Sequence, residues 1–294
     1  MISITEIKSK ALSTSGFAGY DYCLNPYVGC QFGCKYCYAR QFVVDQKPWG
    51  EFVRVRGLDR LASMMSSITP TRLAIGTACD PYQPAERVYR RTRSSLQMIL
   101  ACDPPFTEVG IWTRCPRVLD DVELIQKLPG GRVHFTITPY PPHILKALEP
   151  IPIPAESRFK VVKRLKDAGI RTFVNISPII PLADDSYIEE FAAKLAELKV
   201  NGFVVDPVQA YKPVMEAMHA AMQNVPEWPA ARALILDKLK YMAWKKEHND
   251  KWVKAWKKVQ ASSPDTLAVV MDHATHTKTD IRTNKLLDWK NCYD

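Results

Sequence analysis

The stretch Gly29-Cys30-Gln31-Phe32-Gly33-Cys34-Lys35-Tyr36-Cys37-Tyr38-Ala39-Arg40 carries three cysteines in eight residues, spaced C-x3-C-x2-C. Thiolates this close, in a chain with no sign of secretion, point to an inorganic partner rather than to disulfides. A short, tightly curled loop can hold an iron–sulfur cube through three of its irons. The fourth iron then lacks a protein thiolate and is open to a ligand, whereas electron-transfer cubes use four cysteines. Gly29 and Gly33 would let the backbone curl against such a cluster. A structural zinc site is the alternative. It wants four ligands, and Cys23 would have to be the fourth, because no Cys or His pair follows at zinc-finger spacing.

Outward from this loop, strand and helix patterns alternate. Residues 22–28 read as a strand leading into the loop, and residues 51–56 alternate in the strand manner. Helices are expected over 58–67, 85–102, 119–127, 155–168 and 185–198, the fourth of these stopped by Gly169. Strands are expected over 72–77, 108–113, 132–137, 170–176 and 202–206. Such βα units imply an α/β fold with a parallel sheet. Counting the cysteine-bearing strand there are about six, short of the eight that close a barrel. Beyond residue 210 the pattern becomes helical, over 212–223 and 229–260, with Pro226 and Pro229 breaking the chain around Trp228. One apolar run, 266–271, has room for a further strand. The expected organisation is a lead-in over 1–20, a core over 21–210, and a mainly helical region over 211–294 packed on it.

The 294 residues suit one large domain, and 47% hydrophobic with 24% charged residues is ordinary for a chain that buries a core. Forty Lys and Arg against 31 Asp and Glu give a net charge of +9. That balance is compatible with a nucleic-acid partner without requiring one. Residues 1–15 are polar, with no apolar signal segment, and no apolar run approaches the ~20 residues that span a bilayer. A cytoplasmic, membrane-free protein with its eight cysteines reduced is expected.

In barrels of βα units, active groups gather at the C-terminal strand ends. That rule selects Cys30, Cys34 and Cys37, then residues 77–86, then Thr113, Arg114 and Cys115, then Thr136 and Thr138, then Asn175 and Ser177.

The chain resembles radical S-adenosylmethionine (SAM) enzymes, in the spore photoproduct lyase-like branch. The resemblance rests on Asn25-Pro26-Tyr27 before the cysteines, on the Tyr36-Cys37-Tyr38-Ala39-Arg40 ending, and on the block Gly76-Thr77-x-x-Asp80-Pro81-Tyr82-Gln83-Pro84-Ala85-Glu86. It spans roughly residues 20–210. It implies a partial (β/α)6 TIM-type barrel and a [4Fe–4S] cluster on Cys30, Cys34 and Cys37. SAM would chelate the open iron, with Arg114 on its carboxylate and Thr136 and Ser177 beside it. Tyr36 and Tyr38 would flank the last cluster cysteine, and Asp80 or Glu86 would meet the SAM amino group or a substrate hydroxyl. The implied reaction is one-electron cleavage of SAM to a 5′-deoxyadenosyl radical, which takes a hydrogen atom from the substrate. The electron would come from a flavodoxin- or ferredoxin-type reductant. The substrate class implied is a thymine-type nucleobase in DNA or a nucleotide, undergoing repair, modification or isomerisation. A small metabolite or peptide is the alternative, and a non-catalytic nucleic-acid-binding protein with a structural metal is a third.

Blander readings stand beside several of these residues. Arg114 could serve only an ion pair, Thr136 and Ser177 could simply face the barrel interior, and Glu86 could be a helix N-terminal charge. Tyr38 suits a pocket wall or a radical relay. The lyases carry a thiol near the second strand end that returns a hydrogen atom to the product, and Cys79 is the candidate here, with Cys115 its rival. Cys79 directly precedes Asp80, whereas the lyases place their cysteine further ahead, and the N-terminal region is shorter than theirs. Both points put repair of the spore lesion itself in doubt. Trp244, His248, Trp252 and Trp256 recur every four residues among the lysines of the last helix. Packing on the barrel is favoured for this stripe over base stacking. His273 and His276 are the residues open to a second metal.

Overall fold

Short β-branched and apolar runs separated by turn residues build most of the elements. The structure is a computed structural model that describes residues 2–17, 19–102, 106–182, 185–272, 277–280 and 285–287. His273 and His276 lie outside the described residues. The chain opens with β1 (Ser3–Ile7) and β2 (Leu12–Thr14), then β3 (Tyr22–Leu24) and β4 (Tyr27–Val28). After the cysteine loop come β5 (Phe52–Arg56) and α1 (Leu61–Met65). Next, β6 (Thr71–Ile75) leads through α2 (Glu86–Tyr89) and α3 (Arg91–Ala101) to β7 (Phe106–Thr113). A 3-10 turn and α4 (Val122–Ile125) lead to β8 (Arg132–Ile137), and α5 (Pro142–Leu148) with α6 (Ala155–Asp167) to β9 (Arg171–Ile179). Then α7 (Tyr187–Glu197) precedes β10 (Gly202–Pro207), and α8 (Lys212–Ala221), α9 (Trp228–Leu236) and α10 (Lys238–Val259) precede β11 (Leu267–Asp272). Strands β12 (Thr277–Asp280) and β13 (Lys285–Leu287) follow.

Strands β3, β6, β7, β8, β9, β10 and β11 pair in that order, each parallel to the next. β2 adds antiparallel at one edge, and β12 and β13 at the other, so the sheet stays open as a partial barrel. The apolar run at 266–271 therefore supplies a seventh parallel strand, and the region beyond 210 is part of the barrel wall. The first 20 residues are structured too: β1 pairs with β5, and β2 with β3.

The strand expected over 22–28 is two strands in two sheets. β3 pairs with β6 in the barrel, whereas β4 pairs with β5 in a three-stranded sheet ordered β1-β5-β4. Pro26 lacks a donor for a continuing ladder, and the Asn25 side chain bonds the strand end beside it, donating to Thr77 Oγ1 at 3.2 Å and accepting from Ala78 N–H at 2.9 Å. This switch lifts the cysteine loop off the barrel edge and over its mouth. The helix expected over 85–102 breaks at Arg90, which takes a left-handed φ of 47°. The helix at 142–148 carried no strong signal: Pro142 starts it and it spans only two turns.

The tryptophan stripe packs. Trp252 and Trp256 are fully buried in the same core as the barrel strands, and His248 is buried too, stacked on Trp244 and hydrogen-bonded with Tyr187. Lys238, Lys240, Lys246, Lys251, Lys254, Lys257 and Lys258 stay in solvent. Among the described residues no helix is long and apolar enough to cross a membrane.

Burial pushes His248 down to about 4, against the pull of Asp185 at 3.7 Å, with Lys251 lowering and Glu247 raising it further. The unfolded ring, near 6.5, takes its proton first as pH falls. Stability from the neutral ring is therefore full above about 6.5 and declines toward pH 4. Between pH 7 and 4.5 we expect this group to remove ~2–3 kcal/mol. Urea titrations of the wild type and His248→Phe at both pH values check this: the variant should lose that much less on acidification.

Candidate active site

A cavity of about 440 Å³ opens at the C-terminal ends of the parallel strands and beneath the cysteine loop. Cys30, Cys34 and Cys37 all line it. The loop leaves β4 through Gly29 at φ +79°, where a Cβ would lie 2.6 Å from the Phe52 carbonyl oxygen. Gly33, at φ +59°, lies against Gly50, with 3.3 Å between its Cβ position and the Gly50 Cα. Only glycine fits the first place, and the left-handed φ and close approach favour it at the second. Two glutamines tie the loop to residues 83–85. Gln31 N–H donates to Gln83 Oε1 at 2.9 Å, Gln83 Nε2 donates to Gly29 O at 3.2 Å, and Ala85 N–H donates to Gln31 Oε1 at 2.5 Å. Lys35 N–H closes the other side on Leu148 O at 2.8 Å.

Cys30, Cys34 and Cys37 are free thiols. Burial pushes all three up, Cys37 to about 12. Among the described residues no three His, Cys, Asp or Glu side chains converge as ligands of one ion would. A cube asks for something else, one thiolate to each of three irons round a curled loop, and this loop offers that donor set. Loading such a group must expel the thiol protons. Cys23 does not join them: its sulfur meets Ser13 Oγ at 3.2 Å and Thr14 O at 3.7 Å, away from the cavity.

Arg114 reaches under this loop from the end of β7. Its Nη1 donates to Cys34 Sγ at 2.6 Å, and its Nη2 donates to the Glu149 carboxylate and to Ile151 O at 2.7 Å. The guanidinium carbon sits 4.9 Å from the Phe32 ring centroid. Nε has no protein partner. Glu149 is a fully buried hub. It accepts from Arg114, from Arg158 Nη2 at 2.5 Å, from the Tyr36 hydroxyl, and from Thr138 Oγ1 at 3.2 Å.

The cavity wall gathers Tyr36, Tyr38, Cys79, Asp80, Arg114, Thr136 and Ser177 with the three loop cysteines. Two expected site residues are not there. Glu86 faces away: its carboxylate accepts from the Tyr27 hydroxyl and from the N–H groups of Thr92 and Arg93, each at 3.0 Å, where it caps the first turn of α3. Cys115 is buried in the core. It follows Arg114 in extended backbone, so the two side chains diverge and Arg114 takes the cavity side.

Asp80 lines the cavity but spends its oxygens on the loop. Oδ1 accepts from Tyr82 N–H at 2.9 Å and Thr113 Oγ1 at 2.8 Å, and Oδ2 from Arg114 N–H at 2.9 Å. Burial raises it, and these donors oppose the rise. The Cys79 thiol, pushed up to about 12 by burial, donates to Tyr27 O at 3.2 Å. The Tyr38 hydroxyl donates to Thr77 O. Ser177 Oγ reaches Asp206 Oδ2 at 3.5 Å. Asp206, at the end of β10, also lines the cavity. The strand-end rule carried one strand further finds it. Glu149 had no such signal, because only tertiary structure assembles its partners.

Residues 24–195 match the radical SAM superfamily. The chain belongs to that superfamily. Radical SAM proteins use a [4Fe–4S] cluster and SAM, and the cavity-lining thiols Cys30, Cys34 and Cys37 are the candidate donors. An uncharacterised protein of Methanocaldococcus jannaschii is 31% identical over 232 residues, covering 77% of this chain and 85% of that one. An uncharacterised protein of Mycobacterium bovis is 24% identical over 198 residues, 63% of this chain and 58% of its own length. In fold, this radical SAM chain matches spore photoproduct lyase solved with dinucleoside spore photoproduct. The TM-score is 0.65 at 16% identity, over 90% of this chain and 81% of that one. A lyase variant with bound AdoMet and the same dinucleoside gives 0.66 at 16% identity, covering 90% and 80%.

Proposed function

We propose that this radical SAM enzyme removes a hydrogen atom from a thymine-type nucleobase, in DNA or as a nucleotide, in a repair, modification or isomerisation reaction. The observation that carries the reading is the mouth of the cavity. Tyr38, Phe42 and Tyr211 stand there partly exposed, Phe42 at 66%, with ring centroids 6.3 Å (Tyr38–Phe42) and 6.0 Å (Phe42–Tyr211) apart, edge to face. Solvent-exposed rings beside a polar-ended cavity suit a flat heteroaromatic ring, and stacking one base on such a ring is worth ~1–3 kcal/mol. The +9 charge and the fold shared with a lyase that binds a dinucleoside support the same class.

The bound cluster and SAM supply the 5′-deoxyadenosyl radical. The chain supplies position and dryness. Arg114, on the cavity wall, is the candidate cation for the SAM carboxylate. Thr136 and Ser177 line the adenosine side, and Tyr36 braces the cluster loop through Glu149. Cys79 is the candidate donor that returns a hydrogen atom to the product, with Tyr38 the neighbouring wall or relay. A flavodoxin- or ferredoxin-type protein in the cytoplasm completes the reaction as reductant.

The test is anaerobic turnover with deuterated thymidine, thymidine nucleotides and thymine-containing DNA. Deuterium is expected in 5′-deoxyadenosine from at least one of them. SAM cleavage with no label from any would overturn the nucleobase reading.

A further inference from the structure

The cation behind the cluster loop is pinned, and it points at a sulfur. Arg114 Nη1 lies 2.6 Å from Cys34 Sγ, inside the core, while Nη2 is fixed by Glu149 and the Ile151 carbonyl. Glu149 in turn is held by Arg158, so one buried carboxylate faces two buried guanidiniums beside Cys34, while the Asp80 carboxylate sits on the backbone N–H of Arg114. Arg158 is fully buried and also donates to Ile153 O and Thr136 O, at 2.8 and 3.2 Å. This framework leaves Arg114 little freedom to swing away from Cys34.

We propose that Arg114, positioned by Glu149, tunes the cluster through Cys34. A hydrogen bond from a fixed cation draws electron density off a ligating sulfur, and hydrogen bonds to the sulfurs and local charge are among the levers that set cluster potentials. In water-excluded surroundings the charge acts with little screening. The change in redox state is one electron, taken from an external one-electron donor. No bond forms or breaks at Arg114, and the guanidinium keeps its proton. Arg114 thereby favours the reduced cluster, and Glu149 limits how far. This role uses Nη1 and Nη2, and it does not depend on which substrate is bound.

The two side chains should act with opposite sign. Wild type, Arg114→Gln, Arg114→Lys and Glu149→Gln would be reconstituted anaerobically and their iron and sulfide counted. Each would be titrated with dithionite and mediators under EPR without SAM, so that a lost SAM contact cannot mimic the effect. Arg114→Gln is expected to shift the redox equilibrium at least tenfold toward the oxidised cluster, 59 mV for a one-electron couple. Arg114→Lys should recover part of the shift, and Glu149→Gln should shift it toward the reduced cluster. A fully loaded Arg114→Gln with an unchanged midpoint overturns the proposal. So do shifts of the same sign in the Gln variants. If Arg114→Gln holds no cluster, Glu149→Gln decides alone: an unchanged or lowered midpoint overturns the proposal, and a raised one supports it.

Discussion

Cys34→Ala is expected to lose the brown iron–sulfur absorbance on anaerobic reconstitution and to release no 5′-deoxyadenosine from SAM above background. Cys34 is the middle donor of the loop, and its sulfur is the one that Arg114 meets inside the core. With it gone, a second iron of a cube has no protein thiolate, beside the one already open. The backbone remains held by Gln31, Gln83 and Lys35, so the apo fold should persist by circular dichroism. Cys115→Ala is the matched control. That thiol is equally buried but off the cavity, so cluster content and SAM cleavage should stay near wild type. Retained SAM cleavage in Cys34→Ala would show that the loop is not the cluster site.

Glu149→Leu is expected to cost the apo protein ~3–5 kcal/mol, because two buried guanidiniums lose their carboxylate at once. The Tyr36 hydroxyl and Thr138 Oγ1 lose their acceptor as well. Urea unfolding should show the midpoint falling with little change in slope. The triple variant Arg114→Met, Glu149→Leu, Arg158→Met removes the charges together. It should recover most of the lost stability, since apolar replacement of a whole buried charged group is often neutral or better. A Glu149→Leu midpoint within ~0.5 kcal/mol of wild type would mean that water or a rearranged partner solvates both arginines.

Much of this protein follows from local chemistry. Three cysteines on a glycine-bounded loop mark the candidate cluster donors by themselves, because thiolates that share so short a curl must be close in sequence. Apolar runs alternating with helices likewise determine a parallel sheet, since each run must be buried on both faces. Strand-end position then brought Asp80, Arg114, Thr136 and Ser177 to one cavity, because parallel strands all end on the same side. What local chemistry did not determine is where a side chain spends its hydrogen bonds. Glu86 sits within the block shared with the lyase-like branch, yet the break at Arg90 turns α3 back so that its open N–H groups capture that carboxylate. Cys115 is one residue from Arg114, and extended backbone alone sends it to the core. The region beyond 210 showed helices and one apolar run with room for a strand, but that this strand, β11, pairs on β10 and extends the barrel wall no spacing encodes. Glu149 is the sharpest case. Its loop has no motif, and its partners come from residues 36, 114, 138 and 158, so only the folded chain makes it the centre of the charge behind Cys34.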